Sequence, residues 1–414
     1  MINIAVLGYG TIGSGVVEVI DTNGESIAER AGDEINVKYV LDLRDFPGSP
    51  VENKIVHDYD VILNDPDIKV VVEVMGGVEP AHTFVKNALL KGKSVATSNK
   101  ALVAKHGAEL LQVAKDNGAN FLFEASVGGG IPIIRPLYSS FTADKILEIT
   151  GILNGTTNYM LTKMANQGLE FDDVLKQAQD LGYAEKDPTA DVGGFDACRK
   201  IAILTSLMCG KQVDFEDIYT EGITDISAVD FKYAKVINKS IKLFATTRQL
   251  ETGSPQGSGI VSMVSPVLIG PEHPLFAVND VFNAVFVKGN VLGDTMLYGS
   301  GAGKLPTASA VVSDVIDLIK HFKSNIKMGW SPDKLTLLDR KMIEHGYFVR
   351  VKGTIGERIE AVEKAFGKVI FIEAPGVEGE FAFITSNMPE TDYDKRIADI
   401  PDVIKMIRIE EHGR

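Results

Sequence analysis

The chain opens with MINIAVLGYGTIGSGVVEVI, residues 1–20, where a β-rich apolar run meets a glycine-rich turn and then apolar residues at helical spacing. In a strand–turn–helix unit, the glycines of a G-x-G-x-x-G sequence make a tight turn, leave room for a pyrophosphate and let helix and strand pack closely. The helix N-terminus then faces the anion. The stretch therefore predicts a dinucleotide site. Its cofactor-binding positions are Gly8, Gly10, Thr11, Ile12 and Gly13.

Further β-rich runs recur along the first third of the chain, with helical stretches between them. The runs are VKYVLDL, KVVVEVMGG, KSVATSNK and NFLFEASVGGG. Alternation of this type is typical of a doubly wound parallel sheet. We therefore expect an α/β protein with a Rossmann-type dinucleotide-binding domain over residues 1–130, completed by an amphipathic helix that returns to it at about residues 303–322.

The carboxyl ends of the predicted strands carry further candidate groups for the cofactor, because such folds bind ligands at this edge of the sheet. Asp42 ends the second strand, where an acid binds the adenosine ribose hydroxyls, but Arg44 follows and can meet a 2′-phosphate instead. These two residues leave the choice between NAD and NADP as the cofactor undecided. Lys100 is expected to face the cofactor cleft, and the alternative is a solvated lysine at a helix start. The other positions at this edge are Gly76, Gly77, Thr97 and Ser98.

Composition and charge restrict the partners and the setting. The 414 residues are 45% hydrophobic and 24% charged, with a net charge of −14. Such a chain is a soluble globular protein of two or three domains, and it lacks the basic stretch with aromatics that nucleic acid or anionic membrane requires. Small molecules and copies of itself are the expected partners. Two cysteines in an apolar helical run, a strand at the start and no apolar run of about eighteen residues favour a cytoplasmic location.

An acid-rich segment, GYAEKDPTADVGGFDACRK at residues 182–200, lies in the middle of the chain. The helical pattern that follows Asp196 places Lys200 four residues later on the same helix face. A solvated loop with a surface ion pair is the alternative interpretation. Later runs, IVSMVSPVLIG, FNAVFVKGN and DTMLYG, predict strands of a second sheet. We expect an α+β substrate-binding and dimerisation domain over residues 131–302.

Residues 178–200 resemble the signature of the homoserine dehydrogenase family. The matching positions are Gly182, Asp187, Pro188, Asp191, Gly194, Asp196 and Lys200. GYGTIGSGVV, VVVEVMGGVEP, TSNKALVA, FEASVGGGIPII and GILNGTTNYML are similar to the same family in the same order, so the resemblance spans roughly residues 1–320. It implies reversible NAD(P)-dependent hydride transfer between L-homoserine and L-aspartate 4-semialdehyde, in the biosynthesis of threonine, methionine and isoleucine.

The resemblance also implies roles at the site. Glu185 and Asp191 bind the substrate ammonium, and Asp196 positions Lys200 or the substrate, unless it is a purely structural acid at a helix start. A lysine acts as a base near neutrality when it is partly desolvated or has a second cation beside it, so Lys200 is the expected acid/base and Lys100 its rival. The other residues expected to line the pocket are Tyr183, Asn154, Gly155, Thr156 and Thr157.

The sequence was considered for two kinds of metal site, one for a monovalent cation and one for zinc. The family resemblance implies a monovalent cation, sodium, bound by backbone carbonyls in a turn that the sequence alone shows only as glycine-rich. These are the carbonyls of Glu124, Val127, Gly129 and Ile131. The seven histidines are scattered and show no His/Cys ligand spacing, so we expect no zinc.

The tail, residues 347–414, shows the strand–helix–strand–strand–helix–strand order of a ferredoxin-like fold and resembles the ACT domain. Its turn around Gly356 lacks the Asp-Arg-Pro-Gly sequence of that domain, so a threonine effector site and a packing or dimerisation module both stay open. Residues 323–346, with Trp330, are the expected linker. We expect a homodimer or a homotetramer.

Two alternative functions remain at this point. One is another NAD(P)-dependent amino-acid dehydrogenase, and the other is a catalytically silent nucleotide or amino-acid sensor. Aspartate semialdehyde dehydrogenase is disfavoured because it needs a nucleophilic cysteine, and both Cys198 and Cys209 lie in the helical run after the acid-rich segment.

Overall fold

The structure is a computed structural model and describes residues 1–250, 258–322 and 324–411. Its first domain contains six parallel strands: β1 (Ile2–Leu7), β2 (Ile35–Leu41), β3 (Ile55–Val56), β4 (Ile68–Glu73), β5 (Ser94–Thr97) and β6 (Phe121–Leu122). The helices between them are α1 (Thr11–Thr22), α2 (Gly24–Ala31), α3 (Tyr59–Asn64), α4 (Ala81–Leu90) and α5 (Lys100–Asp116). In the sheet order β3-β2-β1-β4-β5-β6, strands are added on one side of β1 up to β3 and on its other side from β4 onward. This topology confirms the predicted doubly wound sheet.

The middle of the chain supplies most of a second, mixed sheet. The strands that the middle domain gives to this sheet are β7 (Ile146–Ile152), β9 (Tyr219–Thr220), β10 (Ser240–Leu250), β11 (Gly259–Ile269), β12 (Phe282–Gly289) and β13 (Gly293–Ser300), whereas β8 (Lys211–Gln212) belongs to a separate two-stranded sheet. Its helices are α6 (Gly155–Gln167), α7 (Phe171–Asp180), α8 (Thr189–Val192), α9 (Phe195–Cys209), α10 (Ala228–Val236) and α11 (Lys304–Lys320). The long strand β11 is buried over almost its whole length, so helices or other strands cover both of its faces.

The tail continues this second sheet. Its elements are β15 (Glu344–Lys352), α12 (Ile355–Phe366), β16 (Ile370–Ile372), β17 (Glu380–Ile384), β18 (Met388–Pro389), α13 (Glu390–Ile397) and β19 (Val403–Glu410), and they are preceded by β14 (Ser331–Lys334), which pairs with β8 outside this sheet. The main strands of the second sheet follow the order β13-β12-β7-β10-β11-β19-β15-β17-β16. The βαββαβ order of the tail agrees with the sequence pattern, with the short β18 added. The pairing of β19 with β11 joins the tail to the middle domain.

Helix α11 returns from the second sheet and packs against α1 of the first domain. A Cβ at Gly15 would lie 3.0 Å from the Cβ of Ala308, so the glycine allows the two helices to approach closely. Val311 and Val315 of α11 are fully buried. The two domains therefore share one continuous hydrophobic core across this helix.

The segment expected to be a linker is packed in the structure. Trp330 is buried, and a Cβ at Gly107 of α5 would lie 2.6 Å from its ring. Its Nε1 donates a hydrogen bond to Gln212 at 3.2 Å, and β14 pairs with β8.

Within the described ranges, no helix is long and apolar enough to cross a membrane.

Two buried arginines of the tail form ion pairs across its boundary with the middle domain. Arg350 binds Asp230 of α10 at 2.7 Å and Glu380 of β17 at 2.9 Å. Arg408 binds Glu221 of the middle domain and Glu390 of the tail, each at 2.9 Å. A buried pair is weak evidence for net stability, but removing one partner leaves a buried charge uncompensated.

We therefore expect Arg350→Leu to lower the free energy of unfolding by roughly 3–5 kcal/mol, because it leaves the fully buried Asp230 unpaired. Urea denaturation followed by circular dichroism measures this. The matched control is Arg358→Leu, whose ion pair with Asp402 is partly exposed and contributes about 0–1 kcal/mol. Equal losses in the two variants would contradict the expectation.

Candidate active site

The glycine turn after β1 has the shape of a pyrophosphate cradle. Gly8 has a φ of +96°, which favours glycine, and a Cβ at Gly13 would lie 1.9 Å from the carbonyl oxygen of Gly8. Gly10 is the N-cap of α1, and no protein atom lies within 4 Å of the position that its Cβ would take. Thr11 and Ile12 begin the helix. These residues fit a dinucleotide, because the space at Gly10 adjoins the free N–H groups of the helix N-terminus.

A cavity of about 430 Å³ extends from this turn along the ends of β1, β2 and β4. The rings of Tyr59 and Phe84 stack with centroids 4.2 Å apart in its wall. The carboxylate of Asp42 accepts hydrogen bonds from the Tyr9 N–H at 2.9 Å and from the Arg44 Nε at 3.0 Å. The Arg44 hydrogen bond is the main cause that lowers the pKa of Asp42 to about 2. Asp42 and Arg44 therefore lie together at the expected ribose position.

The sequence analysis did not identify several side chains that line this cavity, among them His57, Tyr59 and Phe84. The Nδ1 of His57 lies 2.7 Å from the carbonyl oxygen of Asp42. Sequence reasoning had little chance of finding the two aromatics, because each lies in a short helix where an aromatic side chain usually belongs to the core.

The loops after β4 and β5 are joined at the edge of the sheet. Gly76 and Gly77 have φ values of +83° and +75°, and the Asn99 side chain donates a hydrogen bond to the Gly77 carbonyl at 2.5 Å. Asn99 also caps the start of α5, which places Lys100 at its first position. The hydroxyl of Thr97 donates to Glu73 at 2.6 Å. Ser98 is partly exposed between these residues. The structure thus brings the predicted edge residues together.

A buried carboxylate connects lysines from two domains. Asp196, in the first turn of α9, accepts a hydrogen bond from Lys200 at 2.8 Å and forms an ion pair with Lys100 through its other oxygen. The side chain of Asn154 donates to the same carboxylate at 3.0 Å. Lys200 also donates to the carbonyl oxygen of Leu153 at 2.7 Å. The predicted pair of Asp196 and Lys200 is therefore buried, not a surface ion pair on a solvated loop.

Burial and neighbouring charges shift the pKa values of the cluster in opposing directions. Burial lowers the pKa of Lys200, and the positive charge of Lys100 lowers it further. The carboxylate of Asp196 raises this pKa, but the net shift is downward. Burial alone would raise the pKa of Asp196, yet the two lysines bring it well below its usual range. Burial raises the pKa of Asp191, against the hydrogen bond that Asn154 donates to it at 2.8 Å.

The remaining predicted substrate residues lie around the start of α6. Asn154 caps this helix by accepting the Thr157 N–H at 2.9 Å. A Cβ at Gly155 would lie 2.7 Å from the Val281 carbonyl oxygen, so the chain is tightly held there. The Thr156 hydroxyl donates to the Tyr183 carbonyl at 2.6 Å, and the half-exposed Tyr183 ring packs edge-on against Tyr159.

Glu185 lies apart from the cluster. It is exposed, on the loop between α7 and α8, and its carboxylate makes no hydrogen bond or ion pair with the part of the chain that the structure describes. Gln179 donates only to its backbone carbonyl, at 3.0 Å. Among the described residues, no hydrogen bond or ion pair joins the Glu185 carboxylate to the groups around Asp191.

The turn with the predicted cation ligands is stabilised by the side chain of its first residue. The Glu124 carboxylate accepts the N–H groups of Ile133, Ile134 and Arg135 at 2.6 to 2.8 Å. The carbonyls of Val127, Gly129 and Ile131 accept no hydrogen bond from the described residues. These carbonyls are therefore available to a ligand.

Comparisons with known proteins agree with this site. The family model for "Homoserine dehydrogenase, NAD binding domain" matches residues 8–124, and that for "Homoserine dehydrogenase" matches residues 132–316. A homoserine dehydrogenase of Bacillus subtilis is 38% identical over 426 residues, covering 97% of this chain and 95% of the relative.

Two solved structures share the fold. The homoserine dehydrogenase of Thiobacillus denitrificans superposes with a TM-score of 0.88 at 35% identity, covering 100% of this chain and 99% of that one. A hyperthermophilic archaeal homoserine dehydrogenase mutant in complex with NADPH gives a TM-score of 0.64 at 30% identity, covering 77% of this chain and 97% of that one.

A dinucleotide cradle beside a buried lysine–carboxylate cluster defines a nicotinamide-dependent oxidoreductase. The matches cover both the cradle and the cluster. The chain belongs to the homoserine dehydrogenase family, as its motifs predicted, and uses NAD(P). The two alternative functions find no support in these comparisons.

The geometry at Asp42 generates a prediction about cofactor choice. Arg44→Ala should weaken NADPH binding about 10- to 100-fold, the loss of a hydrogen bond to a charged group, and should leave NADH binding unchanged or tighter because Asp42 is released. Titration by the fluorescence of the reduced nicotinamide measures both dissociation constants. Lys38→Ala, which removes a lysine of β2 outside the cavity, serves as the control. An equal change for the two cofactors would show that Arg44 does not read the 2′-phosphate.

Proposed function

We propose that Lys200 carries the proton transfer in the interconversion of L-homoserine and L-aspartate 4-semialdehyde. The observation that supports this is the position of Lys200, 8% exposed and hydrogen-bonded to Asp196 beside a second lysine. Burial lowers its pKa and Lys100 adds to the effect against Asp196, which is the direction that a lysine acting as an acid/base requires. The side chain of Lys100 is 42% exposed and forms an ion pair with the same carboxylate.

When bound, the oxidised nicotinamide supplies the acceptor for the hydride that leaves C4 of homoserine. The neutral amine of Lys200 takes the proton from the C4 hydroxyl as the carbonyl forms, and in reverse it returns that proton. The carboxylate of Asp196 compensates the charge that Lys200 gains. The ammonium group of Lys100 stabilises the negative charge that develops on the substrate oxygen. The two lysines thus have separate roles around one carboxylate.

We propose that the substrate ammonium binds Asp191 and Glu185. Asp191 is partly buried beside Asp196 and shares Asn154 with it, so an incoming cation would find two carboxylates oriented by one amide. Glu185 would reach the ammonium by a rearrangement of its exposed loop. The free N–H groups of Gly155 and Thr156 at the start of α6 suit the substrate carboxylate.

We propose that the turn from Glu124 to Ile131 binds a monovalent cation, sodium, through its free carbonyls. The buried carbonyls of Val127, Gly129 and Ile131 support this, because buried carbonyls without a donor gain a partner when a cation binds. The carbonyl of Glu124 completes the proposed set.

We propose that the protein is a homodimer joined through β13, the edge strand of the second sheet. Met296 and Tyr298 point outward from β13 and are 42% and 53% exposed, and Phe282 of β12 stacks on Tyr298. An unpaired edge strand with exposed apolar side chains marks a surface for contact with another chain. A homotetramer would need a second interface in addition to this one.

We propose that the tail serves packing and assembly, with a threonine effector site as the alternative. The pairing of β19 with β11 and the buried ion pair of Arg408 with Glu221 support packing. The start of α12 is closed by a capping box in which the Thr354 N–H donates to Glu357 at 2.9 Å, so this helix end has internal partners.

We also propose a cytoplasmic location. Both cysteines, Cys198 and Cys209, are free thiols, which supports it.

Exchange of each lysine for methionine separates the two roles. Lys200→Met should lower kcat and kcat/KM for homoserine together by about 10²- to 10⁴-fold, with cofactor dissociation constants little changed, as for a lost general acid/base. Steady-state kinetics with both reduced and oxidised cofactor measure this. Lys186→Met, an exposed lysine of the same segment, is the matched control. Normal turnover in Lys200→Met, with none in a cofactor-bound Lys100→Met, would assign the acid/base role to Lys100.

The interface proposal predicts a change of mass. Tyr298→Asp should convert the dimer to a monomer, because it buries an unpaired charge at the centre of the β13 face. Light scattering after gel filtration measures the mass. The control is Ile370→Asp at the opposite edge strand β16, where Ile370 is 64% exposed. A monomeric wild type, or dissociation of Ile370→Asp alone, would refute the β13 interface; a tetramer reduced to a dimer by Tyr298→Asp would support it as one of two interfaces.

A further inference from the structure

Two histidines and a glutamate meet between α4 and α5, outside the active site. The Glu109 Oε2 lies 3.2 Å from the His82 Nε2 and 3.1 Å from the His106 Nδ1. The two imidazole rings stack with centroids 3.9 Å apart. Ligand atoms of all three residues lie within 4.8 Å of one another. His82 and His106 are far apart in the sequence, as expected, but the fold brings their rings together.

The packing of two helices explains why the sequence gave no sign of this cluster. His106 and Glu109 are three residues apart and share one face of α5. His82 lies in the first turn of α4, which packs against α5. Regular spacing in a sequence identifies ligands that lie on one turn or one helix. Here the third residue, His82, belongs to a neighbouring helix.

The distances suit a small divalent ion. Metal–ligand bonds of 2.0–2.1 Å in a tetrahedral site place the ligand atoms roughly 3.3 Å apart. The two N–O distances of 3.2 and 3.1 Å are already close to that value. The stacked rings would need to tilt so that both lone pairs point at the ion. All three side chains are only partly exposed, at 16%, 22% and 39%.

The surroundings orient the candidate ligand atoms. The Nδ1 of His82 lies 3.3 Å from a Glu79 carboxylate oxygen, so its N–H can be held there and Nε2 is left free for a metal. Lys86 binds the Oε1 of Glu109 at 2.7 Å and leaves Oε2 for the same purpose. Carboxylate–histidine–metal arrangements of this type are usual around metal sites.

We propose that His82, His106 and Glu109 bind a divalent transition-metal ion, with Zn²⁺ as the fitting species and water at the fourth position. Two imidazoles and one carboxylate form a donor set that zinc favours. The ion would join α4, which follows the Gly76–Pro80 loop of the cofactor cavity, to α5, which begins at Lys100. Its role is to hold these two helices together.

The test uses the full chain, freed of metal by a chelator and titrated with Co²⁺ while its visible absorption is recorded. We expect stoichiometric absorption bands of a low-symmetry site, which an equivalent of Zn²⁺ abolishes. His106→Ala and Glu109→Gln should each weaken Co²⁺ binding by at least about 100-fold, since even an outer-shell partner contributes about 10- to 100-fold. Glu79→Gln should fall within that outer-shell range. His321→Ala, a partly buried histidine at the end of α11, is the control and should bind normally.

Thermal unfolding with and without Zn²⁺ gives a second measurement that does not depend on turnover. The metal should raise the Tm of the wild type and of His321→Ala, and should leave the Tm of His106→Ala unchanged. Because Glu109→Gln preserves the shape of the side chain, it keeps the test decisive if His106→Ala folds poorly. Absent Co²⁺ bands in the wild type, or bands of equal strength in Glu109→Gln, would overturn the proposal and leave the cluster an ion-pair network.

Discussion

The active site depends on one buried carboxylate, that of Asp196. Its side chain is 4% exposed, and it is satisfied by Lys200 from its own helix, by Lys100 from the first domain and by Asn154 from the start of α6. Removal of a partner from a buried charge is costly, so the ion pair with Lys100 links the carboxylate to the docking of the first domain. The shared helix α11 maintains that docking, because it is the last element of the middle domain and packs on α1 of the first.

The parts of this arrangement that rest on local rules were readable from the sequence. The glycine turn depends on a few adjacent residues, and the conformations of Gly8 and Gly13 agree with the spacing that predicted it. The pair of Asp196 and Lys200 follows from helix geometry alone. The ion pair between Lys100 and Asp196 does not, because it joins residues whose approach is determined by the packing of α5 on α9. The same limit hid the contact of Asn154 with Asp191 and Asp196.

Buried polar residues inside apolar patterns were the least predictable. Glu73 ends the apolar run of β4 and is fully buried, yet it orients two loops through Thr97 and the Met75 N–H. Periodicity identifies which positions are inside but not which of them carry a polar role. The continuation of the second sheet into the tail was also hidden, because a strand pattern contains no information about which distant strand will pair with it.

The continuous second sheet has a consequence for local unfolding. Only β10 and β11 separate β19 of the tail from β7, a distance of about 14 Å at the usual strand spacing. Strand β7 ends at Ile152, immediately before Leu153 and Asn154, which bind Lys200 and Asp196. Detachment of β19 exposes the hydrogen-bonding edge of β11, so the tail and this strand belong to one cooperative unit of amide-hydrogen exchange. The amide groups of β11 that bond to β19 are thus protected from exchange only while the tail is in place.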